Sequence, residues 1–306
     1  MTSRSLAALV GTAVLAAGCG GRPVLRSPAP ASESAAPSTD IYLYRFGRFG
    51  LGAGVSNITN RTGYDNQPSW DGNARILYTS QSAGQTDIYE IDFEKAQIGR
   101  VTETPESEYS AALTPDGKAI AVVRVERDST QRLWRFPKDS GAPSLILSDI
   151  KPVGYFAWLD MTTLALFVLG SPNTLQIADT RTGAARTVTT NIGRSLQRVP
   201  GGRRASYVHR VGNRWVLETV DPVPRSNGSF DIDTIAALPD SADYVVWKSA
   251  TELFTAAGSR ILLIRLPNKT WTQVEDLADK GIRRISRIAI SPDGSKMALV
   301  ADEPVK

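Results

Sequence analysis

The chain has 306 residues, 42% hydrophobic and 22% charged, with a formal charge of +4 at neutral pH. This composition belongs to a globular protein and excludes collagen-like, disulfide-stapled and wholly disordered chains; the small positive excess does not suit a dedicated nucleic-acid binder. One cysteine and one histidine leave no intramolecular disulfide, no CxxC redox pair and no Cys- or His-built zinc centre.

Residues 1–18 read as a signal peptide. Arg4 supplies a short basic start, and Leu6 to Ala17 is an apolar stretch too short to remain as a spanning helix. Leu15-Ala16-Ala17-Gly18-Cys19 resembles the lipobox of bacterial lipoproteins. The resemblance implies cleavage before Cys19 and acylation of its thiol, the only side chain here able to form the thioether. An ordinary secretory signal with a free Cys19 is the alternative. Several acyl chains together hold a protein at a membrane without a spanning helix. Gly20, rather than Asp, follows the cysteine, which by the same resemblance favours the outer membrane over the inner, facing the periplasm. Residues 19–39, rich in Pro, Ala and Ser, predict a flexible or polyproline-like tether, so the folded part is expected over 40–306. The later apolar runs, such as Leu164 to Leu169 and Ile261 to Ile264, have strand length.

From Asp40 onward one turn signature recurs. Asp71-Gly72, Pro115-Asp116-Gly117 and Pro292-Asp293-Gly294 each precede an aliphatic run, and Leu159-Asp160-Met161, Pro200-Gly201-Gly202 and Lys248-Ser249-Ala250 are degenerate copies. The last turn residues fall at 72, 117, 161, 202, 250 and 294, with intervals of 45, 44, 41, 48 and 44. Pro presets φ, Asp caps the turn and Gly takes the left-handed position, so each is a tight reversal between two strands. Between turns come short alternating segments such as Asp87 to Asp92, Ile98 to Thr102, Gln131 to Phe136 and Ser144 to Leu147, which predict antiparallel meanders. Four strands per repeat of this length is the pattern of a β-propeller blade. The last repeat holds only two strands, carrying Ile288 and Leu299, while Ile41 to Phe46 and Val55 to Thr59 stand alone at the start. Together they complete one closing blade, and the expected fold is an all-β six-bladed propeller.

The segment from Ile58-Thr59 through Asp65-Asn66-Gln67-Pro68-Ser69-Trp70-Asp71-Gly72 to Ile76-Leu77-Tyr78-Thr79-Ser80 and Asp87-Ile88-Tyr89 resembles the WD40-like PD40 repeat of TolB-type propellers. The Ser-Pro of the family pattern is missing before Asp71, and repeats three to five are faint. TolB also carries an N-terminal α/β domain, which residues 20–39 cannot form, so the resemblance implies a propeller-only relative.

Catalytic motifs are sparse. The sequence contains no G-x-S-x-G elbow, H-E-x-x-H pair, Walker loop, EF-hand or sialidase-type Asp-box. His209, beside Arg210, reads as a structural or surface residue rather than a general base. Gly47 to Gly54 precedes no helix and reads as a Gly-rich loop, or as a partner-binding loop through Arg45, Phe46, Arg48 and Phe49. Asp65, Glu108 and Asp243 are expected just before innermost strands, at the channel mouth, with Tyr64, Asn66, Tyr109, Tyr155, Tyr244, Arg194 and Arg284. Tyr and Arg at one mouth suit recognition of a peptide or protein loop. Two carboxylates at a fixed separation would instead suit a sugar hydrolase. Arg203-Arg204 and Arg283-Arg284-Arg287 are expected on solvated loops and strand faces.

The expected function is a lipid-anchored, periplasm-facing, monomeric propeller that binds or scaffolds an envelope or membrane protein, without cofactor, metal or nucleic acid. The alternatives are an extrinsic subunit stabilising a larger membrane complex, with a broad apolar or Tyr/Arg-rich face, and a carbohydrate-active or lactonase-like enzyme, with carboxylates converging in the channel. A fragment acting with a separate hydrolase subunit would need a wide, open channel.

Overall fold

Each recurring turn reverses the chain between the innermost strand of a sheet and its neighbour. The computed structural model describes residues 38–47 and 52–303, all within a unit spanning Ala36–Lys306. The signal peptide, Cys19, the tether up to residue 37, and Arg48 and Phe49 of the Gly-rich loop lie outside the described residues.

From the channel outward, blade one is Asp65–Asp71, Arg75–Ser82, Gln85–Asp92 and Gln97–Arg100, and blade two is Ser107–Leu113, Ala119–Val125, Gln131–Pro137 and Ser144–Leu145. Blade three is Val153–Trp158, Thr163–Val168, Thr174–Asp179 and Ala185–Thr190; blade four is Ile192–Arg198, Ala205–Val211, Arg214–Val220 and Ile232–Ala237. Blade five is Val245–Trp247, Glu252–Ala257, Arg260–Arg265 and Thr272–Asp276. Blade six combines Ile285–Ile290 and Lys296–Asp302 with Thr39–Phe46 and Gly52–Asn57. All six sheets are four-stranded and antiparallel, and the one described helical turn is Ala278–Lys280. The fold is a six-bladed β-propeller. Thr39, expected in the tether, is a buried strand residue whose hydroxyl donates to the Asp65 carbonyl at 2.9 Å.

The seam is an antiparallel pairing of first strand with last: Ile41 faces Val300, Leu43 faces Ala298 and Tyr44 faces Met297. It removes two free edges that would otherwise template pairing with other chains. Second strands are apolar on both faces because each blade is sandwiched between two others. Ile41 and Leu43 of blade six meet Ile76 and Tyr78 of blade one, and Leu77 and Ile88 of blade one meet Ala111, Ile120 and Val122 of blade two. Outer strands are the most exposed, as Gln97–Arg100 shows with all four residues exposed. The outer strand of blade two ends at Leu145 rather than Leu147, because Leu147 turns inward and is buried with Ile150, Val153 and Leu164 between blades two and three.

The turns obey their chemistry. Gly117 and Gly294 have φ of +70° and +69°, and the Asp116 carboxylate accepts from the Lys118 N–H at 3.0 Å. In the degenerate third turn Asp160 accepts from the Thr162 and Thr163 N–H groups at 2.9 and 2.8 Å. Asp293 accepts from the Ser291 hydroxyl at 2.6 Å and from the Ser295 N–H at 3.0 Å, and these donors hold its carboxyl down at about 2. A carboxyl depressed by folding contributes stability that is complete above its ordinary range and disappears as pH falls through the folded value. Asp293→Asn is therefore expected to be less stable than the parent near neutrality, with the two melting curves converging as pH falls from about 4 toward 2.

Candidate binding site in the central channel

Five inner strands carry a register shift near their starts: between Asn66 and Ser69, Tyr109 and Ala112, Val153 and Tyr155, Ile192 and Leu196, and Ile285 and Arg287. A bulge leaves residues out of the ladder and re-aims them, and here the interrupted segments lie at the propeller axis. Gln67, Ser110, Tyr155, Arg194, Tyr244 and Arg287, one from each blade, line a cavity of about 110 Å³. A larger cavity of about 430 Å³ lies toward the ends where the inner strands begin, lined by Thr39, Tyr64, Asn66, Asp243, Arg284 and Asp302 among others. Tyr155, Arg194 and Arg287 line both, so they form the waist between two chambers.

The waist is tied across the ring. Arg287 Nη2 of blade six donates to the Tyr155 hydroxyl of blade three, opposite it, at 2.8 Å. Its guanidinium lies 4.7 Å from the Tyr155 ring centroid and 5.4 Å from that of Tyr244. Arg194 of blade four donates to Asp243 at 3.2 Å and to the Ser286 carbonyl of blade six at 3.3 Å. Arg284 pairs with Asp302 at 2.8 Å on the rim. Burial pushes the Tyr64 phenol up to about 12, so it is a neutral hydrogen-bonding group at physiological pH.

Inner strands are also stitched to one another. Gln67 Oε1 accepts from the Ser110 N–H at 2.7 Å between blades one and two, and Ser195 Oγ accepts from the Val245 N–H at 3.0 Å between blades four and five. Gly193 lets blade four close in: a Cβ there would collide with Val208 Cγ2 and lie 3.3 Å from the Trp215 ring. Val208 is β-branched and fully buried, so it has little freedom to yield. Gly193→Ala is expected to cost about 1–3 kcal/mol in a denaturant melt and to displace the adjacent Arg194.

Several expectations need correction. Asp65 and Glu108 do not face the channel; both are fully buried inside their blades. Asp65 accepts from Arg61 Nη2 and from the Ser80 hydroxyl, each at 2.7 Å, and Glu108 accepts from Arg124 Nε at 3.0 Å. Tyr109 is half-buried: its ring packs against the apolar cluster of blades two and three, and its hydroxyl accepts from Thr86 of blade one at 3.0 Å. Phe46 is not free for a partner-binding loop: its ring packs on Tyr44 and Phe254, with the Lys248 ammonium 4.2 Å from its centroid. Arg204 and Arg287 are not simply solvated. Arg204 pairs with Asp231 and Asp233, and Arg287 is only 5% exposed. Tyr64, Asn66, Tyr155, Arg194, Asp243, Tyr244 and Arg284 do line the two chambers. His209 Nδ1 lies 3.0 Å from Glu218, a cross-strand pair.

No protein-family model and no curated protein matches the chain. Among solved structures, it superposes on a TolB-assigned protein from Agrobacterium tumefaciens with a TM-score of 0.63 and 15% identity, over 88% of this chain and 100% of that one. The match to TolB from Acinetobacter baumannii has a TM-score of 0.51 and 24% identity, over 64% of this chain and 48% of that one. The fold is TolB-like. A protein of unknown function from Bacteroides thetaiotaomicron also superposes, with a TM-score of 0.54 and 12% identity over 87% of this chain and 76% of that one. At such identities the likeness is one of fold, and the chain spans about half the length of the Acinetobacter protein. The chambers of this TolB-like ring therefore have to be read from their own side chains. Of Asp65, Glu108 and Asp243, the first two are sealed in ion pairs in different blades and the third is held by Arg194. Among the described residues no group of three His, Cys, Asp or Glu side chains is placed to hold a metal ion.

Proposed function

We propose that the protein is a lipid-anchored binding module of the cell envelope, in which the TolB-like ring presents its larger channel chamber to a partner protein. The observation that carries this reading is the lining of that chamber. Tyr64, Tyr155, Asn66, Arg194, Arg284 and Arg287 converge from four blades on about 430 Å³ of open space, and aromatic and arginine side chains are favoured anchors for a protein loop. Rigid blades hold them, so little ordering entropy is lost when a partner binds. The first described strand begins at Thr39, beside the chamber. Acylation of Cys19 would keep the chamber within tether reach of a membrane and raise the effective concentration of a membrane-bound partner. A periplasmic location and an outer-membrane anchor are part of the same proposal, resting on the lipobox resemblance and on Gly20.

Exposed large apolar residues are spread over several blades, among them Ile98, Leu145, Met161 and Val223. That distribution does not favour a broad apolar docking face of the kind an extrinsic subunit would use. Affinity isolation of the acylated protein from detergent-solubilised envelopes tests the proposal. One partner is expected in stoichiometric amount with the parent and is expected to be lost when Arg284 and Tyr64 are replaced by Glu and Ala. Recovery of none, or of the same partner with both variants, contradicts it.

A further inference from the structure

The larger chamber and its waist hold three guanidinium groups and two carboxylates, and the pairing is unequal. Arg194 takes Asp243 and Arg284 takes Asp302. Arg287 is left over. It is the most buried of the three at 5% exposure, and among the described residues no carboxylate lies within ion-pair distance of it. Its Nη2 reaches the Tyr155 hydroxyl, while its Nε is buried with no hydrogen-bond partner. Guanidinium groups stay protonated in proteins, so the waist carries one uncompensated positive charge. Burying a charge without a partner is costly; the two tyrosine faces offset part of that cost as cation–π contacts.

We propose that Arg287 is the anchor of a carboxylate-binding site, and that the chamber takes ligands by a single carboxylate group. One uncompensated charge matches a monoanion, and a guanidinium fork fits the two oxygens of a carboxylate. Tyr64 and Asn66 line the same chamber and offer neutral polar groups to the rest of the ligand. A peptide C-terminus, an acidic side chain and a free organic acid share this chemistry. The proposal deepens the reading of the chamber as the partner-binding face and rests on it.

Ligand-observed NMR titration of the full-length protein with millimolar probes tests it. The probes are N-acetyl-glycylglycine and its C-terminal amide, N-acetyl-aspartate amide, and sodium glucuronate. At least one of the three acids is expected to bind about tenfold or more tightly than the neutral amide, and which acid binds best identifies the source. Arg287→Met is expected to lose that preference and Arg287→Lys to keep part of it. Because the substitution removes an unpaired buried charge, Arg287→Met is expected to melt at or above the parent temperature, which separates a lost site from a lost fold. Equal binding of acid and amide, binding of no acid, or unchanged acid binding by a folded Arg287→Met protein overturns the carboxylate site. None of these results touches recovery of a protein partner through the rim, so the two readings fail separately.

Discussion

Removing residues 285–303 is expected to abolish cooperative unfolding altogether, and the single substitution Leu299→Ala to lower stability by about 2–5 kcal/mol. Leu299 is fully buried and sits at the seam, facing Tyr42 of the first strand on one side and Ile288 on the other. Its cluster joins Tyr42 and Tyr44 to Phe254 and Ile261 of blade five. The seam is the only place where the ring is closed by pairing between the two ends of the described chain, so a cavity there weakens the step on which every blade depends. Without the last two strands, Thr39–Phe46 and Gly52–Asn57 lose the sheet they complete, and blades one and five are left with an uncovered apolar face. Denaturant melts followed by tryptophan fluorescence check both variants. A truncated protein that still unfolds in one sharp transition would show that five blades close by themselves.

Arg124→Met is expected to cost about 3–5 kcal/mol at neutral pH, with most of the loss restored by the double variant Arg124→Met/Glu108→Leu. Glu108 is fully buried, and Arg124 both donates to it at 3.0 Å and stacks 4.7 Å from the Trp134 centroid. Methionine keeps the stacking volume and removes the charge, leaving the carboxylate sealed in the blade. Burial already pushes the Glu108 carboxyl above its ordinary range, with the Thr104 hydroxyl and Arg124 opposing the shift. Without Arg124 that shift grows. A carboxyl that holds its proton more tightly when folded loses stability as pH rises through the ordinary glutamate range toward the folded value, and regains it as pH falls. The defect of Arg124→Met is therefore expected to be largest near neutrality and to shrink toward pH 5 and below. Replacing both partners with apolar groups leaves no charge to seal, which is why the double variant recovers. A pH-independent defect would mean that lost packing against Trp134 and Phe136, not an orphaned carboxylate, sets the cost.

Blade count and closure were legible because tight turns demand particular residues. Asp116-Gly117 and Asp293-Gly294 need a capping carboxylate and a left-handed glycine, and even the degenerate copy at Asp160 keeps the acceptor. The seam was legible because two strands at each end sum to one blade. The channel was only partly legible. Tyr64, Asn66, Arg194 and Asp243 follow from lying where inner strands begin, but Asp65 and Glu108 turn into their own blades. Period-two alternation assigns faces only while the register is unbroken, and a single extra residue reverses it. The bulges after Asn66 and Tyr109 break it at the positions that mattered. Arg287 was missed for a different reason. It follows Arg283 and Arg284 and reads as part of a charged surface run, yet it lies within Ile285–Ile290, an innermost strand that has no outer solvent face. An arginine on such a strand has to point into the channel or stack between blades, and that positional rule was the available signal.

Contact between the larger chamber and an envelope partner is tested most directly by photo-crosslinking in cells that make the full chain with Cys19 intact. A photoreactive amino acid at Asn66 or Ser241, on the chamber wall, is compared with one at Ile98 or Val223, both exposed and far from the chamber lining. One crosslinked protein of defined size is expected from the two chamber positions and none from the two outer ones. Equal crosslinking from both sets, or none from the chamber, would contradict it.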